Sequence, residues 1–476
     1  MIRPSVVIVG GGISGLAAAW ELTGGADGPT EATPRVEVIE ASERAGGSLA
    51  TTTFAGRTVD LGADGFLARR PEAVTLVREL GLDDQLEAIA ESGAWLWSRG
   101  QLNELPKGLV LGVPTTLESI AHFRGVGWRG HLAARRDAVL PARLHVGADA
   151  TIGEITRAKL GRELSYQFIE PMIGGIQAGR IDDLSAKSVF PALYAAAQRG
   201  GSLMRALRPT NSSATQDTTP VFYSLKDGTG SLPTHLVRRL KDRGVVIRTG
   251  VAVTALRRTP AGGYPLEVDT YATTTPANGV ILAAAATMTA SLIGSYDPAI
   301  DELGHIESAS AAMVTFSIPR ANVTLPDRGT GILVPLGTPW SGEGSMMVTA
   351  VTFLDRKWPR LRRDEDVLLR AHVGRSDDAR WSELNDDELI RRVSNELAVL
   401  LPKWSSPSES LVQRWPLGLP QYRVGHERLV EQARIASANY SVTLAGNAYD
   451  GVGVPASIGS GRRAALDVTG LIGATI

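Results

Sequence analysis

The 476-residue chain contains no cysteine. Disulfides, thiolate nucleophiles, iron–sulfur clusters and sulfur-ligated metals are excluded on that ground alone. A net charge of either sign is also missing, since 49 basic residues face 50 acidic ones. No global field therefore selects nucleic acid or an anionic membrane. Only seven of the basic residues are lysine, a skew towards arginine that reflects genome composition sooner than a phosphate-binding surface. Long apolar runs are absent too: the longest, Gly279 to Met288, falls well short of the ~20 residues a spanning helix needs. A first strand beginning a few residues after Met1 is expected to leave no room for a signal peptide. The seven histidines, at 122, 131, 145, 235, 305, 372 and 426, form no pair with metal-ligand or triad spacing, so no metal is expected. What remains is 43% hydrophobic and 21% charged, with 52 glycines. At ~150 residues per domain the length suits about three domains. The composition is that of a soluble globular protein in a reducing compartment, not a disordered, collagen-like or coiled-coil chain.

The N-terminus carries the clearest chemistry. Ser5-Val6-Val7-Ile8-Val9 has the β-branched content of a strand buried on both faces. It runs into Gly10-Gly11-Gly12-Ile13-Ser14-Gly15 and then the helix formers Leu16 to Leu22. In this GxGxxG, Gly10 permits a tight turn, Gly12 lets a pyrophosphate approach the backbone, and Gly15 allows close helix–strand packing. The helix N-terminus offers free N–H groups and the positive end of a dipole. A second strand, Arg35 to Ile39, ends in Glu40, 25 residues after Gly15 and followed by Ala41. That is close to where a carboxylate accepts both ribose hydroxyls. Next comes Glu43-Arg44-Ala45-Gly46-Gly47-Ser48, an Arg-x-Gly-Gly turn that a nicotinamide-only domain does not need. FAD does, because its second half extends past the pyrophosphate. Gly62, Ala63, Asp64 and Gly65 supply another glycine-rich crossing.

The far end of the chain reads as part of the same site. Ser441 to Asn447 looks like a strand ending in Gly446-Asn447, followed by Gly451-Val452-Gly453-Val454-Pro455 and a helix over Ala456 to Leu466. Such a glycine-rich turn can aim N–H groups at the flavin pyrimidine edge, where negative charge develops on reduction. Gly244 to Thr254 alternates like paired strands, and Gly279 to Ala285 reads as a buried strand. The backbone of Val253 is a candidate for the adenine edge; plain sheet core explains its side chain equally well.

These residues resemble the porphyrinogen oxidases of haem biosynthesis, within the flavin amine oxidase-like superfamily, over nearly the whole chain. The most specific pieces lie outside the nucleotide site: Leu105-Pro106-Lys107-Gly108, Gly174 to Arg180 with Leu184 to Pro191, and Arg414-Trp415-Pro416-Leu417-Gly418-Leu419-Pro420-Gln421-Tyr422-Arg423-Val424-Gly425-His426. Ala445 to Val452 is similar to the family's C-terminal flavin contact. The resemblance implies FAD, a porphyrinogen substrate and molecular oxygen, with six electrons leaving in three two-electron steps that each give hydrogen peroxide. It implies no essential side-chain base. It places the Gly175 backbone against the macrocycle. Arg69 and Arg70 are candidates for pairing a propionate, or equally a solvated pair. Trp415 is a candidate wall of the flavin, or an ordinary core tryptophan.

The fold expected is α/β: a Rossmann-like FAD-binding domain from residues 1–72, 221–293 and 436–476, a mixed-sheet substrate domain from 73–115, 200–220 and 294–435, and a helical insertion over 116–199 that lines the substrate channel. Over residues 124–143 that insertion holds Arg124, Arg129, Arg135, Arg136 and Arg143 against the lone acid Asp137. We read a solvated basic face there, with peripheral membrane contact as the alternative that related enzymes suggest. Arg208 to Pro220 reads as a loop, and Asp386 to Leu401 as a charged helix covering the sheet. The function expected is cytoplasmic oxidation of coproporphyrinogen III, with protoporphyrinogen IX the alternative substrate and transient contact with the next haem-pathway enzyme. Other readings are an amine oxidase or carotenoid desaturase sharing the FAD site, and a flavin-binding partner protein without turnover.

Overall fold

The computed structural model describes residues 3–140, 144–209, 220–259, 265–340 and 344–473. The chain divides into two compact units. The first comprises Met1–Ala88, Thr219–Glu307 and Glu427–Ile476, and the second Ile89–Thr218 and Ser308–His426.

The first unit is built on a five-stranded parallel sheet. Strand β1 (Ser5–Val9) is buried at every position, as its almost wholly apolar sequence requires. It pairs with β2 (Arg35–Ile39) on one side, beyond which lies β3 (Val246–Arg248), and with β4 (Gly279–Leu282) on the other, beyond which lies β5 (Val442–Leu444). The order β3-β2-β1-β4-β5 thus puts segments from both chain ends and the middle into one ladder. One face is covered by α1 (Ile13–Leu22), α2 (Pro71–Glu79), α3 (Ser231–Asp242) and α4 (Val454–Ile472). Alternation along β1 divides the core. Val6 and Ile8 join Leu16, Leu236, Ile458 and Val468 on one face, while Val7 and Val9 join Ile293, Leu303, Val430 and Ala433 on the other.

Several boundaries differ from those read off the sequence. Helix α2 belongs to the first unit, because Ala73, Val74, Leu76 and Val77 complete its core. Residues 294–307 and 427–435 belong there too, through Ile300, Leu303, Ile306, Val430 and Ala433. The stretch 244–254 is not a pair of neighbouring strands. Gly250, at φ 68°, turns the chain out of β3, and Val253–Arg258 starts a separate antiparallel sheet with Leu266–Thr270 and Thr274–Ala277.

The second unit holds a seven-stranded sheet in the order Glu409–Pro420, Ser308–Pro319, Asp366–Val373, Val348–Phe353, Gly331–Leu333, Trp95–Ser98 and Gln101–Glu104. Only Gly331–Leu333 and Trp95–Ser98 run parallel; the other neighbours are antiparallel. Helix Asp386–Leu400 covers it, opened by a capping box of Asn385 and Glu388. Residues 116–199 cluster within this unit, not in a unit of their own. Their helices Trp128–Val139, Ile152–Leu164, Glu170–Gln177 and Pro191–Arg199 share a core that includes Ile155, Leu160, Phe168, Ile173 and Leu193. On Trp128–Val139 the outward face is not purely basic: Arg129, Arg135 and Arg136 are accompanied by Trp128 at 71% and Leu132 at 59% exposure. Asp137 is buried instead, accepting hydrogen bonds from Ser202 Oγ (2.8 Å) and the Leu203 and Met204 amides. Arg143 and residues 210–219 of the expected loop lie outside the described residues.

Candidate functional site

The crossing from β1 to α1 is tight on three sides and open on one. A Cβ on Gly15 would collide with the Gly10 carbonyl oxygen, and one on Gly10 with the Ala283 carbonyl oxygen just after β4. On Gly11 it would come within 2.9 Å of Glu40 Cβ. Gly12 is different, for nothing lies within 4 Å of where its Cβ would be. Gly12 is also the N-cap of α1, and no side chain caps the amides that follow it, those of Ile13 and Ser14. Amides without a side-chain cap at the positive end of a helix dipole, beside open space, fit a diphosphate.

Glu40 stands at the end of β2 over this crossing. Its Oε2 accepts the Gly11 amide at 2.6 Å, and its Oε1 accepts the Ser42 amide at 2.8 Å and Ser42 Oγ at 2.6 Å. Ala41 is the exposed residue between them. The Arg-x-Gly-Gly turn folds against the same loop: the Gly46 amide donates to the Gly11 carbonyl at 2.7 Å, and Gly12 and Gly46 form a bridge. Arg44 braces that turn from within, donating to the carbonyls of Gly47 (2.6 Å) and Leu49 (3.1 Å). A Cβ on Gly62 would collide with the Ser48 carbonyl oxygen, so the 62–65 crossing lies against the end of that turn. Buried Asp60 fixes it further, accepting the Thr229 amide at 2.6 Å, while Thr229 Oγ1 lies 2.5 Å from the Ala63 carbonyl. Asp64 and Gly65 follow directly.

The C-terminal turn reaches the same unit through α4. A Cβ on Gly461 would collide with the Ser14 carbonyl oxygen, so α4 and α1 pack backbone to backbone. The turn from Gly446 through Asn447, Val452 and Gly453 to Val454 opens α4, with no side-chain cap at Gly453. A Cβ on either Gly446 or Gly453 would meet nothing within 4 Å. The Gly446 amide donates to Ser460 Oγ at 2.8 Å, and Ser460 Oγ donates to Asp450 Oδ2 at 2.5 Å. Arg434 Nη2 donates to Asp450 Oδ1 at 2.7 Å, and Arg463 pairs with Oδ2. Burial pushes the Asp450 carboxyl up, but hydrogen bonds from Arg463 and Ser460 and the charges of both arginines outweigh it, holding the group below the usual carboxylate range.

Of the other expected site residues, Val253 begins the separate antiparallel sheet, two residues after Val251, whose amide donates to the Glu40 carbonyl at 3.0 Å. Arg70 caps α2 and is paired with Glu72 at 2.8 Å; Arg69 beside it is exposed. Gly175 and Trp415 lie in the second unit. Gly175 is exposed on helix Glu170–Gln177, and its Cβ would meet only Leu333 Cδ2, at 3.8 Å. Trp415 sits beside a bulge in strand Glu409–Pro420, opposite Ala311. Ser42, Thr229, Asp450 and Ser460 carry much of the cofactor-side bonding and were not singled out from sequence. A signal existed for one pair: Ser460 and Arg463 fall three residues apart on one helix face. The pairing of distant Asp60 and Thr229 left none.

The sequence matches the family described as flavin-containing amine oxidoreductases over residues 13–469. The chain belongs to that family, an α/β flavoprotein oxidoreductase whose cofactor is FAD. It is 33% identical to the coproporphyrinogen III oxidase of Bacillus subtilis (strain 168), with 98% of each chain covered. It is 30% identical to the protoporphyrinogen oxidase of Macaca fascicularis, again over 98% of each. Among solved structures, a chain from Exiguobacterium sp. 255-15 provisionally named a protoporphyrinogen oxidase superposes with a TM-score of 0.84 at 29% identity, covering 98% of both.

Proposed function

We propose that this protein oxidises coproporphyrinogen III to coproporphyrin III, with molecular oxygen as the acceptor. Six hydrogens leave the macrocycle and three molecules of oxygen become three of hydrogen peroxide, so atoms and electrons balance. The observation that supports this reading most is the end-to-end match to a relative of that name in B. subtilis. FAD, when bound, supplies the ring that accepts hydride. The chain's own residues do the rest: Gly12 and the amides after it take the diphosphate, Glu40 the ribose hydroxyls, and the turn from Gly446 to Val454 the flavin's pyrimidine edge. Val253 is assigned to the adenine edge, Trp415 to the flavin's wall and the backbone of Gly175 to the macrocycle. Arg69 is the better candidate for a propionate, because Arg70 already pairs with Glu72. No histidine, metal or nucleophile is assigned a role, since positioning the meso carbon and excluding water suffice for hydride transfer.

The macaque relative supports protoporphyrinogen IX as the second reading. Anaerobic mixing separates the two. Flavin absorbance should bleach faster with coproporphyrinogen III than with protoporphyrinogen IX at equal concentration, and reoxidation should yield about three peroxides per porphyrin. A faster reaction with protoporphyrinogen IX would reverse the assignment. Bleaching with neither would remove it. The cytoplasm is the compartment we assign, in keeping with a cysteine-free chain. Trp128 and Leu132, exposed beside their arginines, support the peripheral membrane contact that the resemblance suggests.

A further inference from the structure

Asp450 lies within the segment likened to the flavin contact but is not itself among the residues assigned to FAD, yet it is the charge centre of the C-terminal turn. Its carboxylate is largely buried and takes Arg434, Arg463 and the Ser460 hydroxyl. Ser460 in turn receives the Gly446 amide. The links therefore run from Arg434, on helix His426–Ala438, through Asp450 in the turn to Ser460 and Arg463 on α4. They clamp the two ends of the turn, Gly446 before it and α4 after it, at positions whose glycines otherwise meet open space. A glycine-rich turn without such a clamp would sample many backbone states, and its N–H groups would present no fixed field.

We infer that Asp450, acting through Ser460, is a positioning residue that sets the aim of the Gly446–Gly453 amides, and with it both the affinity for FAD and the potential of the bound flavin. The inference rests on the assignment of this turn to the flavin. Fixed N–H dipoles favour the negative charge that reduction places on the ring, so loosening them lowers the potential as well as the affinity. Ordinary structural support would weaken folding without moving the potential of flavin that is bound.

The test uses full-length protein, stripped of FAD and reconstituted. Asp450→Asn should raise the FAD dissociation constant about tenfold, the effect of losing charge-assisted hydrogen bonds. Ser460→Ala, which spares the arginine pairs and is the safer variant for folding, should raise it about threefold. At saturating FAD both should shift the flavin midpoint potential to more negative values. Glu79→Gln breaks another ion pair made by α4, that of Arg462 with Glu79 of α2, and should leave the potential unchanged. Val452→Asp places a carboxylate in the turn itself and tests the assignment beneath the inference. If Val452→Asp weakens FAD binding while Asp450→Asn and Ser460→Ala retain wild-type affinity and potential, the role of Asp450 is overturned and the turn's assignment stands. If Val452→Asp also binds FAD as the wild type does, the turn does not face the flavin and both fall.

Discussion

Gly12 differs from its neighbours in what surrounds it, and that difference gives a clean experiment. Gly10, Gly11 and Gly15 are packed against backbone or against Glu40, so substituting them would disturb the fold itself. Gly12 has ordinary extended dihedrals, φ −66° and ψ 174°, and free space around its absent side chain. Gly12→Val should therefore leave the melting temperature of the apoprotein within about 2 °C of wild type, the effect of a surface change of a few tenths of a kcal/mol. Its FAD affinity should fall at least tenfold, as the isopropyl group occupies the space a phosphate needs. Isothermal titration of the apoprotein with FAD, run beside thermal melts, checks both halves. The identity of this glycine was legible from the GxGxxG spacing. Its freedom was not, because openness depends on where Glu40, Gly46 and Ala283 come to lie.

Helices α1 and α4 show how local sequence and remote packing combine. Each was recognisable from its own composition: small and apolar residues after a glycine turn, with strong helix formers. Their contact was not recognisable, since it joins residues more than 400 positions apart. Gly461 meets the Ser14 carbonyl, and Arg462 of α4 pairs with Glu79 of α2, with its Nη1 2.9 Å from Oε1. Gly461→Ala should push the helices apart. Overpacking of this kind costs about 1–3 kcal/mol, and urea denaturation should record it with an unchanged m-value. Because the displaced element carries the turn from Gly446 to Val454, FAD affinity should fall as well. Strand β3 makes the opposite point. Alternation over 244–254 predicted two paired strands, but hydrogen bonds from the Gly250 and Val251 amides to Ser42 and Glu40 draw the chain aside. A partner elsewhere in the sequence overrode the local pattern.

For the folded chain as a whole, two ionisable groups in the C-terminal turn make stability depend on pH, one on the acid side and one on the alkaline side. Asp450 has its folded pKa lowered, so its contribution is fully present above the unfolded carboxylate value of about 3.9 and is lost as pH falls through its lower folded value. Tyr449 is the alkaline counterpart. Burial pushes its phenol up to about 12, against the weaker opposing effect of its hydrogen bond with Thr289. Its contribution is complete below about pH 10 and is lost as pH rises towards 12, a change on the order of 2 kcal/mol. Stability measured by denaturant titration between pH 9 and 12, on the scale of ordinary tyrosine ionisation, should decline more gently for Tyr449→Phe than for wild type. An equal decline in both would show that Tyr449 does not titrate in this range.

By itself, the sequence determined the chemistry of each segment: an uninterrupted β-branched run that had to be buried, glycines spaced for a nucleotide turn, and a carboxylate at the end of the next strand. Those are properties of residues within a few turns of one another, where sterics and hydrogen bonding act locally. Only tertiary structure decided the order of the strands within the sheet, where the two units divide, and that Asp60 meets Thr229 and Asp450 meets Ser460 and Arg463. Such pairings depend on apolar faces finding each other across hundreds of residues. Burial is nearly indifferent to the order in which the chain supplies those faces, so the linear pattern holds little record of the outcome.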